Sequence, residues 1–192
     1  AKKVIATDLN KGPLNRAIQY LSSKNLSGKC EFRLGSGLKI LNENEAEVII
    51  IAGMGGELIS DIINESKNVA FSSKELILQP MTAVDNLRKY LYQNGFKIID
   101  ENIIKEFHHY YFIIKAVPGK DEVEDEIYYE ISRHLLNKKD SIMFEYIDKL
   151  LNTNIKIIDN LIKTGNAEYE SKIEFLKNKN IKIGALIKNV AM

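Results

Sequence analysis

The sequence predicts an α/β protein: a parallel sheet covered on both faces, ending in an antiparallel hairpin and followed by a C-terminal α-helical hairpin. Three observations predict it. From Lys3 to Gly95, segments of strand and helix character alternate as βαβ(α)βαβα, the pattern of a parallel sheet with crossover helices. Two strand segments, 96–104 and 110–116, then follow with about five residues between them, too few for a crossover helix, so they pair antiparallel. Beyond residue 140 the apolar positions step by fours and threes, the helical heptad period.

The elements follow in order. Lys3-Val4-Ile5-Ala6-Thr7 reads as a strand ending at Asp8. The chain opens at Ala1, almost inside that strand. Domains usually begin with a few loose residues, so sequence upstream is expected. Asn10-Lys11-Gly12-Pro13 is a turn, with Pro13 placed as a first helical residue, where its missing N–H costs nothing. Leu14, Ala17, Ile18 and Leu21 carry the helix, and Asn25-Leu26-Ser27-Gly28 breaks it. Cys30 to Leu34 alternates as a short strand that stops at Gly35-Ser36-Gly37, and a short helical stretch to about Asn42 is expected after it. Val48-Ile49-Ile50-Ile51-Ala52 is a continuous β-branched run, the mark of a strand buried on both faces. It ends in Gly53-Met54-Gly55-Gly56, and Leu58, Ile59, Ile62 and Ile63 then form an amphipathic helical stripe. Leu76 to Gln79 is a strand closed by Pro80. The next helix carries Leu87, Tyr90 and Leu91 and stops at Asn94-Gly95.

Pro118-Gly119-Lys120 closes a first domain, 1–119, and the helical remainder, 120–192, is the second. Asp121 to Asp125 is a linker or a helix start. Met143, Ile147, Leu150, Asn154, Ile157 and Leu161 form one stripe. Tyr169, Ile173, Leu176, Asn180, Ile183, Ile187 and Val190 form another, with Gly165-Asn166 between them. These read equally as an antiparallel coiled-coil hairpin or as a plain helical hairpin packed on the first domain.

Composition narrows the function classes. A chain 45% apolar and 28% charged has the make-up of a globular protein that folds without metal or disulfide staples. One cysteine, Cys30, excludes a disulfide scaffold and a four-thiolate zinc site, and points to a reducing compartment, the cytoplasm. No apolar run reaches the roughly 18 residues of a membrane span. With Lys+Arg 27 against Asp+Glu 26 the net charge is +1, which neither demands nor excludes nucleic acid. The stretch from Lys172 onward is more basic, five lysines against Glu174. Such a face neutralises phosphates or is simply solvated.

Ligands of open α/β sheets bind beyond the carboxyl ends of the strands, and three such ends are distinctive. Asp8 has the place and chemistry to accept from a ribose hydroxyl pair, or to cap a turn. Gly35-Ser36-Gly37 lets backbone approach a flat ligand, or makes a tight turn. Gly53-Met54-Gly55-Gly56 opens a helix as a glycine floor; it lacks the Gly-x-Gly-x-x-Gly spacing and the Lys-Ser/Thr of a phosphate loop. Gln79-Pro80 ends the next strand, with an amide suited to a base edge or to a polar strand terminus. His108, His109 and His134 lack partners at metal spacing and read as surface histidines, so no metal is expected. Cys30 reads as a small apolar filler.

Asn10-Lys11-Gly12-Pro13, Arg33-Leu34-Gly35-Ser36-Gly37-Leu38, Ile51-Ala52-Gly53-Met54-Gly55-Gly56 and Leu78-Gln79-Pro80 resemble successive motifs of the bacterial tRNA (adenine-22-N1)-methyltransferase family. These are S-adenosylmethionine-dependent enzymes with a Rossmann-like class I methyltransferase domain and a C-terminal coiled coil. The resemblance runs in order over residues 3–116 and extends to the helical tail. It implies cofactor binding at Asp8, Leu9, Gly35, Ser36, Gly37, Ala52, Gly53 and Met54. Gly55, Gly56, Gln79 and Pro80 line the substrate, tRNA is the partner, and the C-terminal helices are a route to a homo-oligomer. Two departures stand out. Ser36 occupies the place of an Asp that bonds the adenine amino group. The family's first motif, an acidic glycine-containing strand and loop upstream of Lys3, is absent from the sequence, and with it the central first strand and any catalytic side chain it carries. Two rival classes remain: an NAD(P)-binding Rossmann protein, and a non-catalytic interaction module built on the helical hairpin.

Overall fold

The computed structural model describes residues 3–191; Ala1 lies outside them. Strand β1 (Val4–Asp8) leads into helix α1 (Lys11–Ser23) and strand β2 (Cys30–Leu34). Strand β3 (Val48–Gly55) is followed by α2 (Gly56–Asn64), α3 (Lys67–Ser72), β4 (Glu75–Thr82), α4 (Val84–Gln93), β5 (Phe96–Glu106) and β6 (His109–Pro118). Four helices complete the chain: α5 (Ile127–Glu130), α6 (Arg133–Asn137), α7 (Ser141–Thr164) and α8 (Glu170–Ala191).

The strands form two sheets. β1 and β2 pair in parallel, with Asp8 opposite Leu34, while β3, β4, β6 and β5 form a four-stranded sheet in that order. Among the described residues no strand joins β1 to β3, which is where the resemblance places the absent first strand. β3 runs parallel to β4, and β6 runs antiparallel to both β4 and β5. β5 therefore points the same way as β3 and β4, and Gly55, Thr82 and Glu106 share one rim. The expected hairpin is present and runs one way with the rest: its first strand, not its second, is parallel to the sheet.

The core follows from the alternation. Ile49, Ile51, Leu76, Leu78, Phe96, Ile98, Ile114 and Ala116 point to one face and pack on Ile59 and Ile63 of α2 and on Leu87 and Leu91 of α4. β3 is buried on that face alone: Ile50, in the middle of the β-branched run, is 67% exposed. A second core joins Ile103 and Phe112, on the outer part of the hairpin, to Ile127, Ile131, Leu135, Met143, Ile147 and Ile183 of the helices. At its base Arg88 is fully buried. It pairs with Glu101 at 2.9 Å, donates to the carbonyls of Tyr129 and Glu130 at 2.9 and 3.1 Å, and lies over the Phe112 ring. One side chain thus ties α4 and β5 to the start of the helical region.

Several expectations change in detail. α1 begins at Lys11, so Pro13 is its third residue; the N–H there still lacks an intrahelical partner, and proline is tolerated. The segment 36–41 is a series of hydrogen-bonded turns in place of a helix (Lys39 N–H to Ser36 carbonyl 3.1 Å, Leu41 N–H to Leu38 carbonyl 3.0 Å) because Gly37 has φ +51° and Leu38 is drawn into the core. α3 is unheralded in the sequence. In α7 the buried stripe is Met143, Ile147, Asn154 and Ile158, with Ile157 exposed. A straight helix drifts about 20° per heptad from a 3.5 repeat, which moves burial from Ile157 to its neighbour. The Asn154 amide donates to Asn180 of α8 at 2.8 Å, so the buried polar position of each stripe satisfies the other. Tyr169 lies in a 3₁₀ turn before α8 and is exposed.

Candidate functional site

Two corners carry the residues singled out in the sequence. The first is built where β1 and β2 end. Gly35 N–H donates to the Asp8 carbonyl at 2.9 Å, and the Thr7 hydroxyl reaches the Gly37 carbonyl at 3.5 Å. Asp8 Oδ1 accepts from Asn10 N–H at 2.7 Å, the turn that leads into α1. Its Oδ2 accepts no hydrogen bond among the described residues, so half of the carboxylate is engaged in capping and half is available. Leu9 and Ser36 beside it are exposed. The glycines here have packing reasons: a Cβ on Gly35 would collide with Ile40, and one on Gly37 would sit 2.8 Å from Ile62. The tight-turn reading accounts for both.

Arg33 holds this corner together. It bonds Glu31 at 2.7 Å, Glu45 at 2.5 and 2.9 Å and the Ile40 carbonyl at 3.1 Å. The Arg33 guanidinium and the Asn42 N–H hold the Glu45 carboxyl down to about 2. Sequence reasoning misses this clamp. Glu31 shares a face of β2 with Arg33, but Glu45 lies twelve residues away, a spacing with no periodic signature.

The second corner lies at the β3–β4 end of the sheet. The ladder runs regularly to Ala52 opposite Gln79, shifts at Gly53, and resumes with Met54 opposite Pro80 and Gly55 opposite Thr82. Gly53 has φ +75°, a conformation that L side chains rarely adopt, and no atom lies within 4 Å of where its Cβ would be. The Gln79 amide replaces the missing ladder bond: its Oε1 accepts from Gly53 N–H at 2.9 Å, and its Nε2 donates to the Pro80 carbonyl at 3.0 Å. Both ends of Gln79 thus bond within the protein. Gly56 serves packing, since a Cβ there would run into the carbonyl of Ala83, the left-handed residue before α4. Met54 and Met81 stand exposed on either side. Asn86 donates to Glu57 at 2.9 Å and links the first turns of α4 and α2.

The corners are connected through α2, which starts at Gly56 in the second corner and receives Gly37 and Leu38 of the first against Ile62, Ile59 and Ile63. Ala52, Gly53, Met54, Gly55, Gly56, Gln79 and Pro80 are together in one corner; Asp8, Leu9, Gly35, Ser36 and Gly37 are together in the other. His108 and His109 lie at the hairpin tip. His134 on α6 is half-buried, with its Nε2 out of contact with solvent and without a hydrogen bond among the described residues. Cys30 is half-buried. Among the described residues no three His, Cys, Asp or Glu side chains gather as a metal would need, and no helix is long and apolar enough to cross a membrane.

Parallel strands with crossover helices, glycine-rich strand ends and a terminal antiparallel strand define a Rossmann-like α/β protein. A member of the NADB-Rossmann superfamily from Streptococcus agalactiae has this fold at 27% identity and a TM-score of 0.86, over 97% of this chain and 80% of that one. More specifically, residues 1–185 match the family model of TrmK, tRNA (adenine(22)-N(1))-methyltransferase, and the chain belongs to that family. The tRNA (adenine(22)-N(1))-methyltransferase of Bacillus subtilis (strain 168) is 34% identical over 128 residues, 66% of this chain and 54% of that protein, so the match spans about half of the curated relative. The structure of M. capricolum TrmK in complex with the natural cofactor product S-adenosyl-homocysteine is similar at 25% identity and a TM-score of 0.80, covering 98% of this chain and 82% of that one.

Proposed function

We propose that this chain is the body of an S-adenosylmethionine-dependent methyltransferase acting on N1 of adenine 22 in tRNA, a substrate that places it in the cytoplasm. Membership of the TrmK family over residues 1–185 carries the reading. The residues fit the cofactor: Asp8 keeps a free carboxylate oxygen for a ribose hydroxyl, Ser36 presents a hydroxyl, and Gly53 leaves open space where a side chain would stand. Ala52 and Met54 flank that space, and Leu9 and the Gly35–Gly37 turn are offered for the adenosine end of the same cofactor.

The bound cofactor supplies an electrophilic methyl group on a sulfonium. Adenine N1 carries an in-plane lone pair and no proton, so no general base is needed for attack. The protein's task is alignment, which supplies several kcal/mol of barrier lowering on its own, out of about 7–11 available to well-oriented reactants. Gln79 fixes Gly53, and Gly56 seats α2 against Ala83, so the wall beside the reacting atoms is rigid. The exposed apolar residues Ile155, Ile162, Phe175 and Ile181 of α7 and α8 support self-association through these helices.

The test is methyl transfer by the full-length protein to unmodified tRNA, with the product read as a primer-extension stop at adenine 22. A stop is expected, and its absence rejects the activity. Asp8→Asn should weaken S-adenosylmethionine binding about tenfold or more, the worth of a hydrogen bond to a charged group, with NAD as a non-binding control.

A further inference from the structure

The β5–β6 hairpin ends at the rim that carries the glycine corner. Leu78 pairs with Ile114 and Ile114 with Glu101, so Gln79 is level with Asn102, and Thr82, opposite Gly55 at the end of β4, is level with Lys105, one residue before the end of β5 at Glu106. The tip therefore stands on the same rim, about one or two residues beyond the end of β4, or roughly 3–7 Å at about 3.3 Å per residue. The tip holds Phe107 at φ +52° with 84% of its surface exposed. A tight hairpin turn at positive φ is ordinarily given to Gly, Asn or Asp. A bulky aromatic there accepts backbone strain and gains no packing in return, so its use lies outside the chain.

The tip is braced. Lys105 and the Tyr110 hydroxyl both bond Glu145 of α7, the latter at 3.1 Å, and Lys149 donates to the His108 carbonyl at 2.8 Å while lying 4.9 Å from the centre of the Tyr110 ring. Below it a groove of about 500 Å³ runs along α7 past Asp148, Asn152, Thr153 and Lys156, with Glu145 in its wall engaged by Lys105. Lys105 spends its charge on Glu145, whereas Lys149 and Lys156 have no carboxylate partner within ion-pair distance among the described residues.

An exposed ring on a braced tip, flanked by ammonium groups without ion-pair partners, amides and a hydroxyl, is the equipment for a nucleotide: a base stacks on the ring and the adjoining phosphates meet the lysines. We propose that the β5–β6 tip and the facing turns of α7 form an RNA-gripping finger in which Phe107 stacks on a tRNA base other than the methylated adenine, and Lys149 and Lys156 hold its neighbouring phosphates. This rests on the methyltransferase reading and adds the surface that grips its substrate.

The decisive variant is Phe107→Asn, because Asn suits positive φ and leaves the fold at least as stable. Gel-shift affinity for tRNA is expected to fall about tenfold, with the melting temperature unchanged or raised and S-adenosylmethionine binding unchanged, while Phe107→Trp keeps wild-type affinity. Lys149→Ala with Lys156→Ala should lower the slope of log affinity against log salt by about 0.7 for each phosphate that is no longer neutralised. Equal tRNA affinity for wild type and Phe107→Asn overturns the finger, and is also the result if the tip serves a protein partner. Full-length wild-type protein that makes no N1-methyl product while its tRNA affinity still depends on Phe107 overturns the activity and leaves the finger standing.

Discussion

Sheet β1–β2 carries the Asp8 corner and sheet β3–β6 carries the glycine corner, and the two are held by different means. No residue of β1 or β2 is fully buried, and Leu14 is the one buried residue of α1. Its cohesion comes from hydrogen bonds and charge: the Asp8–Gly35 and Thr7–Gly37 bonds and the Arg33 clamp on Glu31 and Glu45. The four-stranded sheet has Leu76, Leu78, Ile98, Ile114 and Ala116 wholly removed from solvent and a second core at its hairpin. The corner proposed for the cofactor's ribose thus stands on the lightly packed unit, and the wall proposed for the reacting atoms stands on the rigid one. Burial of apolar area stabilises in proportion to the area removed from water, so the glycine corner is held more firmly than the Asp8 corner.

The largest way to break this contrast is at the joint of the rigid unit. Arg88→Ala leaves Glu101 buried without a partner, and should cost about 3–5 kcal/mol in denaturant unfolding. It should loosen α5 and the helices after it first, because Tyr129 and Glu130 lose their donor.

Truncating one apolar side chain in each sheet sharpens the comparison directly. Leu78→Ala, at a site with no exposure, should cost about 2–5 kcal/mol. Ile5→Ala, half-buried in β1, should cost about 1 kcal/mol. Equal losses in urea melts would show that the two sheets are packed alike.

The smallest effect concerns pH. Glu45 is held at about 2 in the folded protein, against an ordinary 4.5, by its bonds from Arg33 and from the Asn42 N–H. A depressed carboxyl contributes its stabilisation above the unfolded value, and that contribution is lost as pH falls from about 4.5 toward 2. Amide exchange in β1 and β2 should therefore quicken over that window before the β4 and β6 amides respond. In an Arg33→Leu variant the Glu45 carbon resonance should titrate near the ordinary carboxylate range.

Much of the fold is readable along the chain because its signals are local. The β-branched run 48–52, the strand ends at Asp8, Gly35 and Gly53, and the five-residue spacing before β6 all show in short windows. The failures share a cause. Gln79 reads in the sequence as a base-edge group or a polar strand terminus, and only the β3–β4 register shows its bonds to Gly53 and Pro80. His134 looks like a surface residue until α6 turns its Nε2 away from solvent. Ile157 fits the heptad and yields to Ile158 only when α7 is laid against α8. The Arg33–Glu45 and Arg88–Glu101 pairs join residues twelve and thirteen positions apart, where no helical or strand period leads the eye.

Residue order alone determined the alternation of strands and helices, the antiparallel close of the sheet and the two glycine-rich strand ends, because each rests on backbone preferences and on periods of two or 3.6 within a few residues. Tertiary structure decided which glycine serves a turn and which serves packing, which polar side chains remain available for a ligand, and that a strained phenylalanine stands at the rim. Those depend on which surfaces meet across the fold, and a surface pairing leaves no mark in either partner's local sequence.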